Sequence, residues 1–427
     1  MNKLVSWLIF LTLAALPAYL IRCKSFEWCV SPVPFTLLEV LILTTFFAWL
    51  FVKLRQTGSF EKLIADLKVL IPKKYQIVTG SLIFFSGISV LVSPDKIGAL
   101  GIYKAYFIEP VLIFIVVLDY LRATKNVWGV VLPLLTSGVI VAAFAIFEKL
   151  TSFNPGNPLE FLERGRVSAF YTTSNAVGLF LGPLVFLTAG YMLNFWSDKK
   201  RNPKNFLLLA SYFLLLLAGL WVSGSRGAWL GVLAAASFLG CLLIIKKLKS
   251  DLFPLFSKIL LIFLGLAVVL NIILLANIGE FFRFNFQEKT IHQRLCLWEG
   301  AVKLIEDRPI FGAGLNGYHL LDNEYRTCSS EDLQYPHNLV LNFWIETGLF
   351  GLLSFVSLVL WLFFDLIRPP KANFLTFGLA ASLVAILVHG LVDVPYFKND
   401  LSMEFWVIVA LGVFLTSLNR DSNSEVS

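Results

Sequence analysis

An all-α polytopic membrane bundle of about twelve transmembrane helices is the fold class this sequence predicts, on three observations. Hydrophobic residues make up 57% of the 427 and charged residues only 15%, a balance foreign to a soluble domain of this size. Runs of roughly 20 apolar residues, enough to cross about 30 Å of hydrocarbon, recur from end to end. Lys and Arg gather in alternate connections, as they do where short loops face the cytoplasm.

The spans fall at 4–21, 33–52, 76–93, 100–121, 127–147, 171–195, 206–223, 227–245, 258–277, 337–364, 374–391 and 402–418. The first, within MNKLVSWLIFLTLAALPAYLIRC, has the charge and apolar run of a secretory signal, yet the spans that follow make it an uncleaved anchor. Lys53, Arg55, Lys62, Lys68, Lys73 and Lys74 crowd the connection after the second span. Lys199, Lys200, Arg201 and Lys204 follow the sixth, and Lys246, Lys247 and Lys249 the eighth. These loops, and with them both termini, are expected in the cytoplasm. They account for the net charge of +7, so lipid headgroups rather than nucleic acid are the partners it implies. Residues 1–427 read as a single membrane domain without internal repeats. Cys23 and Cys29 share the first external loop and can pair in an oxidising compartment. Five cysteines without a CxxC spacing make neither a disulfide framework nor a zinc site.

This topology puts nearly every unusual polar residue outside: at 148–170, in the turn 224–226, in the large external loop 278–336 and at 392–401. In WVSGSRGAWLG, residues 221–231, a long apolar stretch is broken by Ser223, Ser225 and Arg226. An arginine there snorkels to the interface or binds a planar anion; the small residues flanking Arg226 let a large headgroup approach and point to the anion. In ERGRVSAFYTTSNAVGLFLGP, residues 163–183, Arg166 and Asn175 lie too far apart to share a helix face. They can meet only if the segment begins as loop; otherwise one is an interfacial arginine and the other a satisfied core amide.

The external loop opens with IHQRLCLWEGAVKLIEDRP, in which Ile291, Leu295, Trp298, Val302 and Ile305 recur at helical spacing. This is an amphipathic helix along the membrane surface or over the bundle, and Arg294 near its start faces either solvent or a phosphate. GAGLNG, residues 312–317, is a literal GxGxxG, but without a preceding strand it is a turn and no dinucleotide site. Neither Tyr318 nor His319 after it is given a catalytic role.

YPHNLVLNFWIETGLFG, residues 335–351, then enters the membrane. Pro336 suits a helix start, and Asn338, Asn342 and Glu346 follow in one stripe. Gly348 and Gly351 are read as permitting close helix packing. Asn342 and Glu346 suit a structural role between helices, whereas His337, at the mouth, suits chemistry. In VHGLVDVPYFKNDLSMEFW, His389 and Asp393 stand one turn apart and are expected to hydrogen-bond each other, with Lys398 and Asp400 opening the last span.

Separated external arginines, an exposed histidine and no metal motif describe a site for an anionic lipid headgroup and one proton transfer. A pyrophosphate leaving group departs as a stable anion, so cations stabilise it, while an incoming hydroxyl needs a base. A membrane-embedded transporter places its charges near the midplane, often on broken helices in repeats, which this distribution does not follow.

HNLVLNFWIETGLFG after a long external loop, SGSRGAWLG, RPIFGAGLNGY and HGLVDVPYFKNDL together resemble the O-antigen ligase and polymerase superfamily, which includes bacterial O-oligosaccharyltransferases. The likeness spans roughly Arg166 to Asp400. It implies an all-helical, C-type glycosyltransferase bundle in the bacterial cytoplasmic membrane that needs no metal or cofactor and inverts the anomeric centre. It further implies that His337 contacts or deprotonates the acceptor hydroxyl, and that Arg166 and Arg226 bind the undecaprenyl pyrophosphate of a lipid-linked glycan donor. Arg294 looks like a further pyrophosphate contact, and Asn338, Glu346, His389, Asp393 and Lys398 are supporting candidates. The acceptor would be a glycan, a lipid A-core or a protein. Arg166 and Gly182 fit an Arg, fifteen-residue, Gly spacing of O-antigen polymerases, but Arg283, Arg294 and Arg308 do not repeat it. TTSN precedes Asn175 without the proline frequent in this family, which weighs against a role for that residue. A flippase or transporter of lipid-linked glycan that forms no bond is the alternative.

Overall fold

The computed structural model describes residues 2–22, 35–154, 165–197, 203–248, 289–326, 333–368 and 372–424, and the architecture is all-helical. Helix α1 (Lys3–Ala14) starts where the Asn2 side chain accepts the Leu4 N–H, and a 3₁₀ turn, Leu16–Leu20, containing Pro17 ends that span. Helix α2 (Leu37–Thr57) opens with a reciprocal Thr36–Glu39 capping box and stops at Gly58, whose φ of 75° is left-handed. The short amphipathic α3 (Phe60–Leu70) leads to α4 (Lys73–Val92). Then α5 (Lys96–Tyr103), a π-helical stretch Lys104–Ile108, and α6 (Glu109–Thr124) form one continuous span.

Helices α7 (Trp128–Thr151), α8 (Ser174–Ser197), α9 (Pro203–Ser223) and α10 (Arg226–Leu248) follow. Outside the regular spans lie α11 (Lys289–Asp307) and α12 (Tyr318–Tyr325), and the chain closes with α13 (Leu339–Ile367), α14 (Phe374–His389) and α15 (Asn399–Ser424). Among the described residues, nine helical stretches are long and apolar enough to cross a membrane, and α1 and α14 are shorter apolar helices. They correspond to the expected spans except 258–277, which lies outside the described residues, as do Cys23, Cys29 and Arg283.

Burial sorts these helices by place. The apolar window of α15 is 94% buried and that of α8 78%, against 28% for α2 and α9, so α15 and α8 lie centrally, with the mostly buried α14, and α2 and α9 lie at the periphery. Small residues set the closest approach: a Cβ built on Gly190 of α8 would lie 2.6 Å from the Gly378 Cα of α14. Farther along α14, a Cβ on Gly231 of α10 would lie 2.8 Å from the Ala385 carbonyl.

Helix α13 is broken, and the break is filled. At Gly348 the backbone has φ 73° and ψ 175°, a conformation in effect reserved for glycine. The Leu349 N–H that would have bonded the Ile345 carbonyl donates to Ile310 instead, at 2.9 Å. The freed Ile345 carbonyl accepts from Ala313 and Gly314, at 2.8 and 3.2 Å. Gly348 therefore kinks the helix around the 308–317 loop and is not a contact for another helix, because the loop satisfies the backbone groups that the kink releases.

The reading of Pro336 as a helix start changes too: α13 begins at Leu339 behind Asn338, and Pro336 lies before that cap, its carbonyl accepting from Trp298 Nε1 at 2.8 Å. The buried side of α11 includes Leu295, Cys296, Leu297, Ala301, Leu304 and Ile305, while Trp298 and Val302 are half-buried. It packs on Leu341 and Ile345 of α13. Cys296 there is disulfide-bonded.

Gly348→Ala would place a Cβ 2.5 Å from the Ile310 carbonyl in a conformation hostile to side chains. It should destabilise the purified protein by about 1–3 kcal/mol, seen as a lower thermal-unfolding midpoint. Gly240→Ala, where nothing lies within 4 Å of the new Cβ, should leave the midpoint unchanged or slightly raised.

Candidate active site

The start of α13 is stitched to the segment following α14. Asn338 caps α13 by accepting from the Val340 and Leu341 N–H groups, and its Nδ2 donates to the Leu391 carbonyl at 3.2 Å. The Leu339 N–H donates to Gly390 at 2.7 Å. This pairing brings His337, itself left-handed at φ 51°, over Asp393.

The two side chains meet directly. His337 Nδ1 lies 2.9 Å from Asp393 Oδ1, with the imidazole 26% exposed and the carboxylate 4%. Asp393 Oδ1 also accepts the Val394 N–H, while Oδ2 accepts from Asn175 Nδ2 at 3.0 Å. Asn175 in turn accepts from Arg166 Nη2 at 2.9 Å, and Arg166 Nε donates to the Ser223 carbonyl at 3.3 Å. One polar chain thus runs from the Ser223 turn through Arg166, Asn175 and Asp393 to His337.

Local sequence explains how Arg166 enters it. Helix α8 begins only at Ser174, so residues 165–173 are loop and Arg166 can fold back on Asn175. Gly224 holds φ 62°, and a Cβ there would come 3.5 Å from Arg166 Nε. Arg226, exposed, is the first residue of α10. Behind it Gly227 lies against His389: a Cβ on Gly227 would sit 2.8 Å from the imidazole Nε2.

The expected pairing of His389 with Asp393 is not present. Helix α14 ends at His389, so Asp393 is not on its next turn, and the carboxylate is engaged by His337 and Asn175. His389 is buried beneath the Arg226 turn, and its Nε2 has no hydrogen-bond partner among the described residues. Glu346, also buried, accepts the Asn316 N–H at 2.6 Å and the Tyr318 N–H at 3.2 Å, and so clamps the GAGLNG turn onto α13. Tyr318 is fully buried and donates its hydroxyl to the Leu297 carbonyl.

Arg294 is half-buried near the start of α11 and makes no hydrogen bond or ion pair among the described residues. Its charge reaches Asp393 nonetheless. Burial alone would raise the Asp393 carboxyl, but the His337 imidazole and its hydrogen bond, with the charges of His389 and Arg294, outweigh burial and hold it below the ordinary carboxylate range. Lys398 is half-buried with Nζ 5.7 Å from the centre of the Tyr171 ring, and Tyr171 donates to Asp400 at 2.8 Å. Burial lowers the Lys398 ammonium, against the opposing pull of Asp400 and Asp393. Among the described residues no group of three or more His, Cys, Asp and Glu side chains converges as metal ligands would.

An ionised carboxylate only accepts, so a neutral His337 carries its proton on Nδ1 and leaves Nε2 with a lone pair. That is the arrangement of a general base held by a buried acid. Asn175 is the residue that sequence reasoning discounted. Its signal was present in the loop-first reading of the segment, which places it against Arg166.

The family model described as O-Antigen ligase matches residues 211–356, from α9 through Arg226 and His337 into the kinked α13. That match supports a place in the O-antigen ligase and polymerase superfamily. An uncharacterized protein of Haemophilus influenzae is 24% identical over 229 residues, covering 49% of this chain and 54% of the relative. The match thus spans about half the length of that curated relative.

A depressed folded carboxyl contributes stability that is complete above its unfolded value, about pH 4, and is lost as pH falls toward the folded one. Thermal unfolding below about pH 4 should therefore show a smaller acid loss for Asp393→Asn than for the native protein. Equal acid slopes would remove Asp393 from this role.

Proposed function

We propose that this protein transfers or polymerises a glycan carried on undecaprenyl pyrophosphate, acting at the external face of a bacterial cytoplasmic membrane. The observation that carries this reading is an imidazole whose Nδ1 is held by a buried carboxylate, joined through Asn175 to an arginine of the anion site. The family match supports the coarser statement of lipid-linked glycan transfer. The basic loops and the bonded state of Cys296, which suits an oxidising compartment, support the external placement.

In this reading the acceptor hydroxyl gives its proton to His337 Nε2 as its oxygen attacks the anomeric carbon. The bond from that carbon to the pyrophosphate oxygen breaks on the opposite side, and the electron pair leaves with the lipid pyrophosphate. Inversion follows from attack opposite the leaving group. Arg226 at the N-terminus of α10, where helix N–H groups also favour an anion, and Arg294 compensate the departing charge. Arg166 contributes to the same site while fixed by Ser223 and Asn175. Asn338 holds the backbone next to His337, Glu346 holds the GAGLNG turn against α13, and Lys398 lends positive potential beside Asp393.

His337→Ala should lower transfer to acceptor by roughly 100-fold or more while leaving donor binding largely intact. A reconstituted assay with near-normal transfer in that variant would sink the base assignment. Arg226→Lys should lose most of the turnover, about tenfold, because one ammonium does not replace a guanidinium fork. Unchanged turnover would reduce Arg226 to an interfacial anchor. Full activity is expected after exhaustive chelation. Mass spectrometry of glycans from a deletion strain separates shortened chains, unattached full-length glycan, and glycan retained on the cytoplasmic leaflet; the last outcome would make the protein a flippase.

A further inference from the structure

Arg166 stands on a loop whose shape must be imposed from outside. Gly165 has φ 62° and Ala169 φ 51°, so the backbone turns left-handed on both sides of Arg166, and at Ala169 it does so with a side chain that disfavours it. The imposing group is Glu148, fully buried at the end of α7. Its Oε2 accepts from the Ser168 N–H at 3.0 Å and the Ala169 N–H at 2.7 Å. Its Oε1 accepts from Asn154 Nδ2 at 2.7 Å, and that amide also donates to Ser168 Oγ at 2.8 Å. Next to it, Lys149 Nζ donates to the Gly165 carbonyl at 3.0 Å.

A carboxylate is costly to bury unless its lone pairs are taken by good donors. Two of these donors are backbone groups of the very loop that carries Arg166, so the Glu148 carboxyl and the strained loop hold each other. Further along, Phe170 packs on Phe144 with ring centres 4.3 Å apart, and Tyr171 reaches Asp400, which leaves residues 165–169 as the part that Glu148 decides.

We propose that Glu148, supported by Asn154, is the positioning residue of the anion site: it fixes the backbone that aims Arg166 at Asn175 and the Ser223 turn. The proposal rests on the reading of Arg166 as part of a pyrophosphate site. Glutamine at this position keeps the size but not the chemistry. Its one carbonyl oxygen can serve either Ser168 and Ala169 or Asn154, and its NH₂ then faces a donor on the other side.

The test uses the full chain in lipid nanodiscs and a sugar-free polyprenyl pyrophosphate as the probe. Glu148→Gln should weaken probe binding about tenfold, the scale of a lost buried charge-assisted hydrogen bond. Arg166→Ala should weaken it to a similar degree, and the double variant should be no weaker than Arg166→Ala alone. In turnover, Glu148→Gln should raise the donor KM and leave the acceptor KM unchanged. Native affinity in Glu148→Gln beside a weakened Arg166→Ala would overturn the proposal alone, as would losses that multiply in the double variant. Native affinity in Arg166→Ala would instead overturn the anion-site reading on which the proposal stands. If Glu148→Gln does not fold, Asn154→Ala, which leaves the carboxylate in place, should weaken the probe about threefold. Unchanged affinity there would count as refutation.

Discussion

Everything at the mouth of this bundle turns on one buried carboxylate with two sides. Asp393 gives one oxygen to His337 and the other to Asn175, and through Asn175 it is tied to Arg166 and the Ser223 turn. A buried carboxylate left without such partners would be destabilising. Asp393 therefore constrains three segments distant in sequence to one geometry, and that geometry sets the histidine tautomer. The link between His337 and Arg166 is also structural, since displacement of Arg166 would disturb the amide that holds the carboxylate.

A second set of buried polar groups performs a different task on the same helix. Asn338 caps α13, and Glu346 grips the backbone of the GAGLNG turn two helical turns farther along. Gly348 lets the loop exchange hydrogen bonds with the broken helix. At Asn338 and Glu346 the polar stripe of α13 thus satisfies backbone groups, whereas the buried Asn342 amide has no hydrogen-bond partner among the described residues. His337, before the helix begins and part exposed, is the base of the proposed reaction.

How much of this the sequence discloses depends on the range of the interaction. Apolar runs fix membrane spans by length alone, so the expected and observed helices agree to within a few residues at most ends. GAGLNG is legible as a turn because a dinucleotide fold needs a strand before it, and among the described residues α11 precedes it instead. The partner of Asp393 is misread because the i, i+4 rule assumes a continuous helix, and α14 stops at His389. Asn175 is passed over because a missing proline is a local signal, whereas its bonds reach residues on two other segments. Glu148 is silent in the sequence: an acid near the end of a span looks interfacial until the loop folds over it.

The central claim is that Asp393 holds His337 with its Nε2 free to take a proton. Nitrogen NMR of ¹⁵N-histidine-labelled protein in bilayers, with His337 assigned by difference against His337→Gln, reads the tautomer directly. The account predicts a neutral imidazole protonated on Nδ1 and bare at Nε2, reverting to a mixed population in Asp393→Asn. A His337 protonated on Nε2 in the native protein, or a tautomer indifferent to Asp393, would contradict it.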